Sequence, residues 1–259
     1  MGEAQESPVE AIPAATLVVF RQPSGAPAPE ILMVVRSNEM SFAGGMAVFP
    51  GGRVDPHDRA LAAAIADDCS DELAHRIAAI RETLEETGLA VGLTGTLDRA
   101  TAGAARRRLL ELGELAPVLE EFSLALDLDA LVPFARWRPR WFGHSRIFDT
   151  RFYLADLGTG AVELAVDRTE NTQLFWISAA DALKAAENGE IGVIFPTRRN
   201  LERLAQFDSF GTARTQAEAI PVRTITPFVR GEGDARSLCI PEGLGYPVTS
   251  EDYSNVVRS

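Results

Sequence analysis

Arg81-Glu82-Thr83-Leu84-Glu85-Glu86-Thr87-Gly88-Leu89 is the stretch on which the reading of this chain turns. It closes a longer helical pattern over Asp71 to Thr87, in which Leu73, Ile77, Ile80 and Leu84 recur at i, i+4, i+7 and i+11. Ser70 suits the N-cap, Asp71 and Glu72 suit the positive end of the helix dipole, and Gly88 supplies a left-handed stop. At about 100° per residue, Glu82, Glu85 and Glu86 form an i, i+3, i+4 cluster roughly opposite the apolar stripe. Such crowded like charges destabilise a helix by roughly a few tenths of a kcal/mol per pair, so the cluster needs a reason. A hard divalent cation supplies one, because Mg²⁺ takes oxygen ligands and keeps waters in its remaining positions. Arg81, four residues before Glu85, is placed to fix a carboxylate while leaving its other oxygen available. The rival reading is a solvated charged face, the ordinary fate of a charge cluster.

Upstream, Thr16 to Phe20 and Ile31 to Val35 are short β-branched apolar runs separated by a Pro- and Gly-rich loop, and are predicted strands. A third predicted strand, Met46 to Phe49, runs into Pro50-Gly51-Gly52. Residues 1–13 carry no period and are read as a mobile arm, with the ordered chain starting near Ala14. Downstream, Arg99 to Leu126 is predicted as one or two inserted helices. Ile147 to Leu154 and Leu174 to Ile177 are predicted strands, and Ala179 to Asn188 a helix after Ser178. Pro196 to Phe207 and Thr212 to Ala219 are further predicted helices, whereas the tail from Ile220 is too rich in Pro and Gly for assignment.

The chain has 259 residues, enough for one elaborated domain, and its 46% hydrophobic and 24% charged residues are those of a globular protein. No apolar run reaches the roughly 20 residues of a membrane span, and the start lacks a signal-peptide pattern, so a cytoplasmic location is the default expectation. Cys69 and Cys239 pair with no His at zinc spacing and read as ordinary thiols. A net charge of −12 argues against a nucleic-acid partner. An anionic small molecule is still admitted, since bound cations invert the local potential. No membrane partner is expected, and a homodimer is left open.

The nonapeptide resembles the signature half of the Nudix box, Arg-Glu-aliphatic-x-Glu-Glu-x-Gly-aliphatic, at its five fixed positions, with Thr83 in the first aliphatic slot. A chance match in a chain this long is of order 10⁻⁴, which disfavours the solvated-face reading. Phe49-Pro50-Gly51-Gly52 is similar to the Nudix lead-in, which implies that the Gly51 carbonyl joins the ligands and that Gly52 lets backbone approach phosphate. The usual box has a Glu where this chain has Asp58 and then reaches its Arg-Glu pair eight residues on. Here Arg81 comes about 15 residues later than that, so Pro56 to Ser70 is expected to loop out. A box split at this place resembles the Nudix-type motif 19 family of acyl-coenzyme A diphosphatases. Arg76 to Glu82, Trp141 to Tyr153, Glu170 before Trp176, Pro196-Thr197 and Gly243 to Tyr246 extend the resemblance. Leu32, Arg36, Ser37, Gly45 and Phe49 lie in register with a coenzyme A motif, but Ser41 stands where an Arg belongs.

The resemblance implies a Nudix α/β/α sandwich: an α/β fold with a central mixed sheet and added helical segments, here a single domain over residues 14–259. The box insertion would lie near 56–70 and a helical insert near 99–130. It also implies Mg²⁺ or Mn²⁺ held by Gly51, Glu82, Glu85 and Glu86, and hydrolysis of a diphosphate linkage. Arg81 would support that site, and the water's proton would go to Glu85, Glu86 or Glu170. Arg36, Ser37, Phe49 and Gly52 are candidate substrate contacts, although Arg36 and Ser37 equally well simply end a strand. Trp137, Trp141 and Phe142 among Arg136, Arg138, Arg140 and Arg146 form a basic aromatic patch that binds an adenine or packs between elements; Trp141 and Arg146 are its candidate contacts. His75 reads as a surface residue rather than a base. Coenzyme A or acyl-coenzyme A is the first substrate expectation. The alternatives are ADP-ribose, nucleotide sugars or dinucleotides, and a regulator of the same fold that binds without turnover.

Overall fold

Residues Leu17, Val18, Val19 and Phe20 are all buried, as expected of a strand covered on both faces. In the computed structural model, which describes residues 10–36, 45–66, 71–139, 147–158 and 171–256, they lie in strand β1 (Ala11–Arg21). It is followed by β2 (Glu30–Arg36), β3 (Ala47–Val48), β4 (Gly51–Arg53), helix α1 (Pro56–Ile65) and helix α2 (Asp71–Thr87). Next come β5 (Leu93–Thr94), α3 (Arg99–Leu112), α4 (Leu115–Glu121), β6 (Ala125–Leu126), β7 (Val132–Trp137) and β8 (Ile147–Asp156). Then follow β9 (Asn171–Ser178), α5 (Ala179–Glu187), α6 (Phe195–Leu204), α7 (Phe210–Ala219), β10 (Thr224–Ile225), β11 (Phe228–Arg230), β12 (Ser237–Cys239), β13 (Ser250–Asp252) and α8 (Tyr253–Val256).

The central sheet is mixed, in the order β10-β7-β8-β1-β2-β3, with β4 also paired to β1 and β9 to β2. β1 runs parallel to β8 over its length, from Ala11 opposite Ile147 to Phe20 opposite Asp156. Its other edge is shared: Phe20 and Arg21 pair with β2, whereas Ala14 to Thr16 pair with β4. Side chains alternate between two cores. Ala15, Leu17, Val19 and Leu32 pack with Ile77, Ile80 and Leu84 of α2 and with α3 and α4. Val18, Phe20, Ile31 and Met33 pack on the opposite face with α5, α6 and α7. The chain is therefore an α/β/α sandwich with the expected mixed central sheet.

Helix α2 has the limits read from its periodicity, although the proposed N-cap Ser70 lies outside the described residues. Thr83, in the slot where an aliphatic residue is usual, is fully buried and donates its hydroxyl to the Ala79 carbonyl at 2.7 Å, so only its methyl faces apolar neighbours. Gly88 takes φ 77° and closes the helix with its N–H on the Leu84 carbonyl at 3.0 Å.

Several sequence expectations need correction. The first strand begins at Ala11, inside the segment read as an arm, because Ala11 to Pro13 extend the parallel ladder with β8. The segment expected to loop out is largely helical: Asp55 and Asp58 form a capping box and Pro56 occupies the first turn, where its missing N–H costs nothing. Strand β7 was not foreseen, since Val132 to Trp137 is short and follows a helix-rich stretch. The tail includes a three-stranded antiparallel sheet, β11-β12-β13. His75 is buried beside Ala74, its Nδ1 on the Asp71 carbonyl, and burial pushes its pKa down. No described helix is long and apolar enough to cross a membrane.

Candidate active site

Glu82, Glu85 and Glu86 do not face bulk water. They line a cleft of about 520 Å³ together with Gly51 and Gly52 of β4, Ala14 and Thr16 of β1, and Arg36 of β2. Glu86 is 4% exposed and its Oε2 accepts the Gly51 N–H at 3.0 Å, across 35 residues of sequence. Gly52 lies so close to the Glu82 carboxylate that a Cβ would overlap it, so glycine is required for that carboxylate to keep its place. Gly51 has φ 153°, and a Cβ there would lie 2.7 Å from Thr16 Cα and overlap the Ala15 carbonyl.

Arg81 is the hub of the site, 3% exposed. Its Nε and Nη2 donate to the two carboxylate oxygens of Asp58, each at 3.0 Å. Nη1 lies 3.0 Å from Glu82 Oε1 and 3.1 Å from Glu85 Oε2, and Nη2 also reaches the Arg53 carbonyl at 2.9 Å. Burial pulls the pKa of the guanidinium down, but Asp58, Glu82 and Glu85 more than offset this and raise it above the usual arginine value. Asp58, 1% exposed, is thus engaged in orienting Arg81, a role that the spacing did not reveal because 23 residues separate the pair. The 15 or so extra residues are accommodated as α1, which packs on α2 and returns this carboxylate to the arginine.

Burial pushes the Glu82 carboxyl up to about 8; Glu86 and Glu85 add to this while Arg81 opposes it. Glu85 is also raised, again by burial against the pull of Arg81. Two carboxyls with such raised values, beside a third and inside a cleft, form a concentrated acidic site whose repulsion a cation would relieve. The donor set is all oxygen, which suits Mg²⁺ or Mn²⁺ rather than a soft metal. Among the described residues no ready-made cluster of three acidic, His or Cys ligands is present, and Arg81 and the Gly51 N–H engage the carboxylates as they stand.

The inserted helix α3 contributes a contact that the sequence did not disclose. Arg106 donates to the main-chain carbonyls of Glu85 at 2.9 Å and Glu86 at 3.5 Å. These are among the last four carbonyls of α2, which have no partner within the helix, and a cation there also suits the helix dipole.

The remaining sequence candidates divide. Arg36 reaches the cleft, with no hydrogen-bond partner for its buried Nε among the described residues. Phe49 lines the cleft but is 3% exposed, packed edge-on against Phe152 at 6.5 Å. Ser37, Trp141, Arg146 and Glu170 lie outside the described residues. In the basic aromatic patch, Trp137 is a packing residue: it is 1% exposed, and its Nε1 donates to Asn200 Oδ1 at 3.3 Å and Tyr246 Oη at 3.1 Å, while only part of it reaches the cleft wall. Arg136 is engaged by Asp149 at 2.8 and 2.7 Å.

Replacing Asp58 with Ala leaves Arg81 buried without its paired acceptor, and should cost about 3–5 kcal/mol of stability; urea unfolding of the variant checks this. Gly51→Ala forces the backbone of β1 and β4 apart and should lower stability. Gly52→Ala meets only the movable end of Glu82, and should leave the melting temperature near that of the parent while removing the Glu82 carboxylate from its place. Thermal unfolding and a structure of Gly52→Ala distinguish the two.

Residues 11–109 match the NUDIX domain family. Over 234 residues the chain is 28% identical to the acyl-coenzyme A diphosphatase NUDT19 of Gallus gallus; the match covers 70% of this chain and 62% of that protein. The crystal structure of a NUDIX hydrolase from Alicyclobacillus acidocaldarius superimposes with a TM-score of 0.70 at 29% identity, covering 81% of this chain and 97% of that one. The split box, the enclosed acids on α2 and the glycines set against them all lie within residues 11–109, which form a NUDIX domain, and over most of its length the chain is similar to a NUDIX hydrolase.

Proposed function

We propose that this protein hydrolyses the diphosphate linkage of a coenzyme A type substrate, with Mg²⁺ or Mn²⁺ held by Glu82, Glu85, Glu86 and the Gly51 carbonyl. The observation that carries the reading is the enclosure of the acid cluster in the cleft, against two glycines whose missing side chains let β4 lie close to β1 and to the Glu82 carboxylate. The all-oxygen donors and the raised Glu82 carboxyl fit such a cation. When bound, the cation would neutralise the diphosphate and help to activate water.

The chain's own residues would do the rest. Arg81, clamped by Asp58, keeps Glu82 and Glu85 in fixed orientations. Gly52 leaves the Glu82 carboxylate its place at the cleft, and Arg36, whose Nε has no hydrogen-bond partner among the described residues, would offer a donor to a phosphate on the strand wall. The proton of the attacking water passes to a carboxylate, for which Glu85 and Glu86 are the described candidates. The name of the avian relative supports a coenzyme A derivative, and a cleft of about 520 Å³ has the size of a ligand site.

A screen of coenzyme A, acyl-coenzyme A, ADP-ribose, nucleotide sugars and dinucleotides with Mg²⁺ or Mn²⁺ should give cleavage of the coenzyme A compounds, lost on chelation. Glu85→Gln and Glu86→Gln should each lower kcat by roughly two orders of magnitude or more with circular dichroism unchanged. Silence over the whole panel, or near-parental rates in both variants, refutes the proposal.

The raised Glu82 carboxyl also sets a pH dependence. Below about 8 the cation-free protein holds a proton there that an incoming cation must displace. Mn²⁺ affinity should therefore rise with pH, by at most about tenfold per pH unit for this one proton, and level off above about 8. Calorimetric titration in buffers of differing ionisation enthalpy should detect proton release on the acid side. A flat profile would show that Glu82 already binds as a carboxylate.

A further inference from the structure

One wall of the cleft comes from outside the box and the strands. Leu109, Leu110 and Gly113, at the end of α3, line it beside the acids. Leu109 is fully buried, but Leu110 is 51% exposed and so contributes little to the core. Gly113 caps the helix at φ 69° with its N–H on the Leu109 carbonyl at 2.8 Å, which ends the helix at the rim and holds Leu110 there. Arg106, one turn earlier, fixes this part of α3 to the carbonyls of Glu85 and Glu86, so the apolar rim is positioned relative to the acids themselves.

The two walls differ in charge. Among the described residues, the arginines that line the cleft are Arg36, Arg53 and Arg81, from β2, β4 and α2, and Arg81 is occupied by carboxylates. No arginine of α3 lines it: Arg106 is turned to the α2 carbonyls, and Arg108 to Glu111 and Glu121. A substrate arm bearing phosphate or other charge finds its donors on the strand wall. An arm lying against α3 finds a half-exposed leucine and a glycine, which reward only apolar surface.

We propose that the end of α3, with Leu110 at its tip, is a subsite for an uncharged apolar arm of the diphosphate substrate, and that Leu110 sets selectivity for that arm. The inference rests on the diphosphate reading above for what occupies the centre of the cleft.

Two probes that share one half and differ in the other isolate the subsite: ADP-ribose, whose second arm is a sugar, and adenosine 5′-(octyl diphosphate), whose second arm is an alkyl chain. Affinity is measured first, by calorimetry with the intact protein and Mg²⁺, and turnover second. The parent should bind the octyl compound about tenfold more tightly than ADP-ribose. Leu110→Glu should bring that ratio to near one, Leu110→Ala should reduce it, and Leu110→Met should retain it. Leu112→Glu makes the same charge change on an exposed α3 residue that does not line the cleft, and should leave the ratio intact. Equal binding of the two probes by the parent, or a preference that survives Leu110→Glu, overturns the subsite. So does an equal loss of preference in Leu112→Glu. Octyl-selective, Leu110-dependent binding, with no cleavage of these probes or of any compound in the coenzyme A and nucleotide panel, would support the subsite while refuting hydrolysis, so the two readings fail separately.

Discussion

A single buried cation organises the site. Arg81 sits almost without solvent among Asp58, Glu82 and Glu85, with Asp55 at 3.6 Å on its fringe. A guanidinium so enclosed is tolerable only because its fork is matched by carboxylates and a main-chain carbonyl, and the carboxylates are tolerable only because it is there. Each acid that would hold a cation is thus located by a contact with Arg81 or with the paired glycines, not by its helix alone.

That arrangement explains how the box survives interruption. The helix α1 occupies the inserted segment and places Asp58 back against Arg81, while the Asp58 carboxylate also accepts the Asp55 N–H at 2.8 Å and so starts its own helix. One side chain joins the insertion to the site in two ways. On the other flank, α3 is joined to the same helix by Arg106. Both segments that depart from the simple motif are therefore fastened to α2 within the turns that carry the acids.

The described residues of the second half of the chain supply a wall of the cleft. Asn200 of α6, Trp137 of β7 and Tyr246 form a closed set of hydrogen bonds, with the Tyr246 hydroxyl on Asn200 Oδ1 at 2.8 Å. Arg203 stacks over Phe134 at 3.9 Å and donates to its carbonyl at 2.9 Å. These buried polar groups fix β7 against α6 with a specificity that apolar packing alone lacks, and Trp137 and Thr197 then present a rigid side of the cleft.

What the sequence determined by itself was local. The limits of α2, its apolar stripe and the adjacency of Glu82, Glu85 and Glu86 follow from a helical period that needs no distant partner, and β1 and β2 follow from short, continuous β-branched apolar runs. The pairing of Arg81 with Glu85 was legible for the same reason, being four residues apart on one helix. The tertiary structure alone decided that the acids are enclosed, that Asp58 serves Arg81 and that β7 completes the sheet. It also decided that Trp137 packs instead of stacking on a ligand, and that α3 brings Leu110 to the cleft. Each of these joins groups from different elements, far beyond one helical turn, as in Trp137 and Tyr246 at a separation of 109. Burial and hydrogen-bond satisfaction at such separations belong to the packed chain as a whole, and no periodicity in a single segment encodes them.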